Sequence, residues 1–155
     1  MRSCDTMKVH WIVLLIVIGA ALFAPAVSAK IIEEKDGYVI TTTNDTLRLP
    51  DMSRMSSSTI TQGQTDLYNT YVPSGKTAFS PYLYWGTPSN SLSLTIRAPD
   101  SLMGPYYDST DGVVDGSISL RISRAGGLAQ GTWKSYVYGY QVTGSQSYTY
   151  SVTAS

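Results

Sequence analysis

Ser91-Leu92-Ser93-Leu94-Thr95-Ile96-Arg97 and Ser117-Ile118-Ser119-Leu120-Arg121-Ile122-Ser123 are the two stretches that decide the fold. In each, an aliphatic residue at every second position alternates with Ser, Thr or Arg, the period of a strand with one dry face and one wet face. An amphipathic helix needs apolar residues three and four apart, and no stretch from Thr59 onward has that spacing. Working outward, Asp66 to Val72, Thr77 to Trp85, Thr132 to Tyr140 and Gln146 to Thr153 are rich in Tyr, Val, Thr or Trp and read as further strands. Turn chemistry separates them: Pro73-Ser74-Gly75, Gly86-Thr87-Pro88-Ser89-Asn90, Asp111-Gly112, Asp115-Gly116, Gly126-Gly127 and Thr143-Gly144-Ser145. Short strands at this spacing pack as two sheets or a barrel; the expectation is an all-β domain of β-sandwich type.

The chain has 155 residues, the length of one domain plus a leader. Arg2 and Lys8 supply a basic start, Trp11 to Ala24 are apolar without interruption, and Val27-Ser28-Ala29 has the small-x-small form of a cleavage site. Residues 1–29 therefore read as a helical signal peptide removed after Ala29, with an uncleaved membrane anchor as the competing reading. A span needs about 20 apolar residues, and this run is shorter and ends at Pro25. Met7, followed directly by Lys8, is an alternative start to Met1. The expected location is extracellular, at the cell surface if the leader is retained.

Residues 30–58 are more polar and less regular. They read as an N-terminal extension and linker, with Tyr38 to Thr43 as a strand and Pro50 to Ser58 as a Ser- and Met-containing connection. Asn44-Asp45-Thr46 is an acceptor sequon, making Asn44 a candidate glycosylation site. Residues 59–155 form the expected sandwich domain.

Cleavage of the leader has a chemical consequence. The single Cys (Cys4) and the single His (His10) both lie within it. The mature chain then has no internal disulfide and no residues for a Ser-His-Asp triad, a Cys-His pair, or a thiolate or imidazole zinc site. No Ser-x-x-Lys motif is present either. Eleven basic residues balance 11 acidic ones, charged residues are 14% of the chain, and Lys and Arg are scattered. That distribution argues against nucleic acid and anionic membrane surfaces as partners, since both require a basic face.

An ordered set of segments carries a resemblance: Ile60-Thr61-Gln62-Gly63-Gln64-Thr65, Tyr71-Val72-Pro73-Ser74-Gly75, Leu83-Tyr84-Trp85-Gly86, Ser91 to Ile96, Gly131-Thr132-Trp133, and Val137-Tyr138-Gly139-Tyr140 ahead of Gln146-Ser147-Tyr148-Thr149-Tyr150. From about Ile60 to Val152 the chain resembles the bacterial and archaeal pre-peptidase C-terminal domain, in a form associated with secreted proteins of methanogenic archaea. The resemblance implies a sandwich of jelly-roll type. It also implies a role beside a secreted protease or other hydrolase, in secretion, stability or substrate attachment. The chain departs from the family's usual arrangement in carrying the module behind a leader with no catalytic domain, so a peptidase activity does not carry over.

Two constellations are candidate sites. Asp108, Asp111 and Asp115 lie within eight positions of a Gly-containing segment, a composition able to offer oxygens to calcium. The spacing does not follow the EF-hand pattern, and Asp-Gly pairs are also ordinary turn formers. Tyr136, Tyr138 and Tyr140 stand at alternate positions of one strand, with Tyr82 and Tyr84 on another. An exposed row of this kind stacks on sugar rings or extended peptides, whereas a half-buried row is ordinary cross-strand packing. Trp85 and Trp133 read as core anchors.

The expected function is a non-catalytic module that needs no cofactor, calcium being the one candidate ion. It binds a polymer or protein at the cell envelope, or stabilises an exported assembly. The alternative is an accessory or regulatory subunit of a separate secreted hydrolase, and a third reading is a hydrolase built on the carboxylates.

Overall fold

A computed structural model describes residues 29–43 and 55–155. Ten strands form two antiparallel sheets packed face to face: β1 (Ile31–Lys35), β2 (Tyr38–Thr42), β3 (Ser56–Thr61), β4 (Thr65–Val72), β5 (Ala78–Tyr84), β6 (Ser91–Arg97), β7 (Leu102–Tyr107), β8 (Ser117–Arg124), β9 (Gly131–Gln141) and β10 (Ser145–Ala154). One sheet has the order β1-β2-β8-β5-β10-β3 and the other β4-β9-β6-β7. From β3 onward the chain changes sheet at every connection except β6–β7, so the two layers are laced together rather than laid down one after the other. The β-sandwich expectation holds. The signal-peptide reading of residues 1–29 and the sequon at Asn44 fall outside the described residues, apart from Ala29 itself.

Alternation explains the core. Leu92, Leu94 and Ile96 from β6 face Ile118, Leu120 and Ile122 from β8 across the interior, and all six are buried. Trp133 is fully buried, stacks on Phe79 with ring centres 4.6 Å apart, and meets Tyr38 edge to face at 5.6 Å. Its indole N–H donates to the Ala129 carbonyl, as that of Trp85 does to the Asn90 carbonyl, each at 2.9 Å. Both tryptophans are the core anchors expected of them, with their polar atoms satisfied.

The reading of residues 30–58 as an extension needs correction. β1 and β2 are integral strands of the larger sheet, β2 pairing with β8 from Tyr38↔Arg124 to Thr42↔Leu120. Tyr38 and Ile40 lie in the same core as Trp133. The Ser-rich end of the supposed linker, Ser56 to Ser58, already belongs to β3 and pairs with Tyr150 to Tyr148 of β10. β7 was not anticipated either, because Gly104-Pro105 interrupts it where its pairing with β6 slips register.

Two carboxylates close the open flanks of the sandwich. On one flank the Tyr106 hydroxyl of β7 donates to Glu33 of β1 at 2.6 Å. On the other, Asp66 of β4 accepts from Tyr148 of β10 at 2.6 Å and from Ser58 of β3 at 3.1 Å. Each of these bonds joins one sheet to the other.

Candidate functional site: the outer face of the four-stranded sheet

β9 lies in the middle of its sheet, between β4 and β6, so its outward residues sit at the centre of a surface. Inward it offers Trp133, Ser135, Val137 and Gly139; outward it offers Thr132, Lys134, Tyr136, Tyr138 and Tyr140. The three tyrosines singled out from the sequence therefore do share one face, and that face is the wet one. Tyr138 is 36% and Tyr140 43% exposed, with Tyr136 half-buried between its neighbours.

Register decides what surrounds them. Thr65, Tyr138 and Ser93 lie abreast, continued by Tyr107 of β7; the next row is Leu67, Tyr136 and Thr95. Beyond it Asn69, Lys134 and Arg97 make a polar, basic end. Between Ser91 and Leu92 the pairing with β9 slips by one residue, leaving Tyr140 as the extra residue of a bulge. A bulge re-aims its side chain, and here the Tyr140 ring packs against Tyr107 at 4.8 Å and an interplanar angle of 62°. The result is an aromatic strip running along β9, hydroxyl-tipped, bordered by Thr and Asn, and ending in two cations.

Gly139 is what allows this strip to be carried on an inner strand so near the turn between β3 and β4. Its N–H donates to the Gln64 carbonyl at 3.0 Å, and its carbonyl accepts from Gly63 N–H at 2.9 Å. A Cβ at this position would overlap the Thr61 carbonyl. The turn thus lies directly on the backbone between Tyr138 and Tyr140 and holds them in place.

Tyr82 and Tyr84 lie on the opposite surface of the molecule, the outside of the six-stranded sheet, stacked with centres 6.3 Å apart and planes 8° from parallel. Beside Tyr84 is an open depression of about 360 Å³, lined by Ser57, Thr59, Ser147, Thr149 and Trp85. The two groups of tyrosines form two separate surfaces and not one.

The acidic loop is built differently from a convergent ligand set. Asp108 opens a 3-10 turn, Asp108–Asp111, directly after β7, and is 4% exposed. Its carboxylate accepts backbone N–H groups from Asp115 at 3.1 Å, Gly116 at 3.0 Å and Ser117 at 3.4 Å. Asp111 accepts from Val113 N–H at 2.9 Å, and Asp115 accepts from the Ser117 hydroxyl at 2.7 Å. The three carboxylates are thus spread along the loop, each turned to the loop's own donors. Among the described residues no group of three or more carboxylates is arranged to hold a metal ion. The Gly116 carbonyl in turn accepts from Trp85 and Gly86 N–H, so the Asp108 cluster ties the start of β8 to the end of β5.

No family model matches the chain. Over 41 residues the chain is 49% identical to an uncharacterized protein of Archaeoglobus fulgidus; the match covers 26% of this chain and 56% of that protein. Among the described residues no helix is long and apolar enough to cross a membrane.

Proposed function

We propose that this protein is a secreted, non-catalytic binding module that takes an extended polymer of the cell envelope on the outer face of its four-stranded sheet. The observation that carries the reading is the solvent-facing row Tyr136, Tyr138 and Tyr140, widened by Leu67 and Tyr107. Alternate residues of a strand are about 6.8 Å apart, so the row offers successive ring-sized contacts along one direction. Tyrosine suits the task because a rigid ring supplies area at small entropic cost while its hydroxyl hydrogen-bonds at the rim. The polar border of Thr65, Thr95 and Asn69 favours a hydroxyl-rich chain, such as a polysaccharide, over an apolar one. The ordered resemblance to the pre-peptidase C-terminal domain supports the same reading, since substrate attachment is among the roles associated with that family.

The test is co-sedimentation with insoluble polysaccharides and with isolated cell envelopes, comparing wild type with Tyr138→Ala/Tyr140→Ala. The rings are partly exposed and Tyr140 packs on Tyr107, so the double change should cost about 1–2 kcal/mol and leave the protein folded by circular dichroism, while the apparent Kd should rise at least tenfold. Pelleting equally well without the two rings would remove the face from consideration. Pelleting with envelopes but with no polysaccharide would make the ligand a protein.

A further inference from the structure

A two-sheet sandwich has four edge strands, and here they are β1, β3, β4 and β7. An edge strand exposes a row of unpaired N–H and C=O groups, and soluble proteins guard such rows with charges, prolines, bulges or short length. Three of the four edges follow that rule. β1 carries Glu33, Glu34 and Lys35 and slips register after Ile31. β7 contains Gly104-Pro105 at its own slip. β3 is short and Ser-rich, with Ile60 its one buried apolar residue.

β4 is the exception. Thr65-Asp66-Leu67-Tyr68-Asn69-Thr70-Tyr71-Val72 contains no proline and no cation, and its register with β9 runs unbroken from Thr65↔Tyr138 to Val72↔Gly131. Its one charge, Asp66, is engaged by Tyr148, Ser58 and Gln64 and does not guard the edge. Two large apolar side chains, Leu67 at 47% and Tyr71 at 61% exposure, stand on the outward side of this strand. Among the described residues nothing pairs with its free side.

We propose that β4 pairs edge to edge with β4 of a second copy of this chain, fusing the two four-stranded sheets into one continuous sheet across a two-fold axis. A strand edge is its own complement under antiparallel two-fold pairing. Directly opposed residues must point the same way, so the axis passes through a residue and not between two. Centring it on Asn69 sets Leu67 against Tyr71 of the second copy, twice over, and Asn69 against itself. Centring it on Tyr68 would instead set Leu67 against Asn69. The first register joins the exposed apolar pairs and keeps the two Asp66 carboxylates at opposite ends. It also brings the two aromatic faces onto one surface, although the pairing does not depend on what those faces bind.

The experiment is sedimentation velocity on the purified protein over a range of concentration, with two sets of variants. Wild type should run as a dimer that dissociates on dilution, and Asn69→Lys, which opposes two ammonium groups across the axis, should run as a folded monomer with unchanged circular dichroism. Treated with a short bis-maleimide, Asn69→Cys should form a covalent dimer, because directly opposed Cβ atoms lie about 5 Å apart, within the cross-linker's reach. Thr65→Cys should not, since the two sulfurs would be roughly 25 Å apart. Cys4 is the chain's single native cysteine, so wild type treated identically gives the background. A wild-type monomer at every concentration would overturn the proposal. So would a dimer that survives Asn69→Lys and fails to cross-link through Asn69→Cys. Tyr138→Ala/Tyr140→Ala, which removes the binding rings and leaves β4 unchanged, should still run as the dimer; loss of the dimer there would overturn the pairing as one independent of the binding face.

Discussion

Replacing Asp108 tests whether the acidic loop is a structural clasp. In the folded chain its buried carboxylate accepts three backbone N–H groups, of which Gly116 N–H is itself buried and those of Asp115 and Ser117 are closer to solvent. Hydrogen bonds to a charged group contribute about 1.5–3 kcal/mol, and a buried donor left unpaired costs about 1–3 kcal/mol. In Asp108→Ala the Gly116 donor is stranded while water recovers part of the other two, so the expected loss is about 3 kcal/mol. Asp108→Asn keeps one oxygen but turns an amide N–H₂ toward donors, for a loss of about 1.5–2 kcal/mol. Asp111→Ala removes a single bond on an exposed turn and should cost less than about 1 kcal/mol. Urea unfolding gives the answer through the midpoint at constant m-value. Equal, small effects at Asp108 and Asp111 would refute the clasp. The same titration decides on calcium: with the Asp108 oxygens committed to backbone N–H donors and the three carboxylates not convergent, millimolar calcium and chelator should give the same midpoint. A rise in calcium that disappears in Asp111→Ala would establish a cation site instead.

Gly139→Ala should cost about 3 kcal/mol, because the new methyl meets a backbone carbonyl at Thr61 and not a side chain that can swing away; thermal or urea unfolding measures it, and a change under about 0.5 kcal/mol would contradict the packing described. Among the 12 tyrosines, Tyr106, Tyr148 and Tyr150 have hydroxyls pushed above the ordinary value of 10.0, burial being the main cause in each, with Glu33 adding to it at Tyr106 and Asp66 at Tyr148. A raised value in the fold means that their contribution is complete below pH 10 and is lost as pH rises beyond it. Absorbance at 295 nm should therefore show these phenols ionising together with alkaline unfolding; ionisation of all three well before the fold is lost would contradict their burial. At Asp100, burial raises the carboxyl, but hydrogen bonds from Tyr38 and Arg124 outweigh it and hold the group below its ordinary 3.8. The stability gap between wild type and Asp100→Asn should be full above pH 3.8 and close as pH falls through the lower, folded value; a gap that persists in strong acid would speak against the ion pair.

What the sequence discloses and what it hides follow one physical division. Strands β5, β6, β8, β9 and β10, flanked by others on both sides, are legible because most of their inward positions are apolar to fill the core, polar ones such as Ser135 and Gln146 being the exceptions. The edge strands β1, β3 and β7 escape sequence reading because guarding an edge means writing charge, serine or Gly-Pro into it, and those residues erase the period. The same holds for the site. Alternation put Tyr136, Tyr138 and Tyr140 on one face, but which face is wet depends on pairing from Leu67↔Tyr136 to Thr95↔Tyr136, and no local pattern contains it. The three aspartates are close in sequence, yet Asp108 alone is buried, drawn by the N–H groups of Asp115, Gly116 and Ser117, at the entry to β8, seven to nine residues later. β4 stands out against this division. It occupies an edge and yet reads as plainly as an interior strand, with Leu67 and Tyr71 on the side that faces solvent. A strand written as an interior one is accounted for if, in the assembled protein, it is interior.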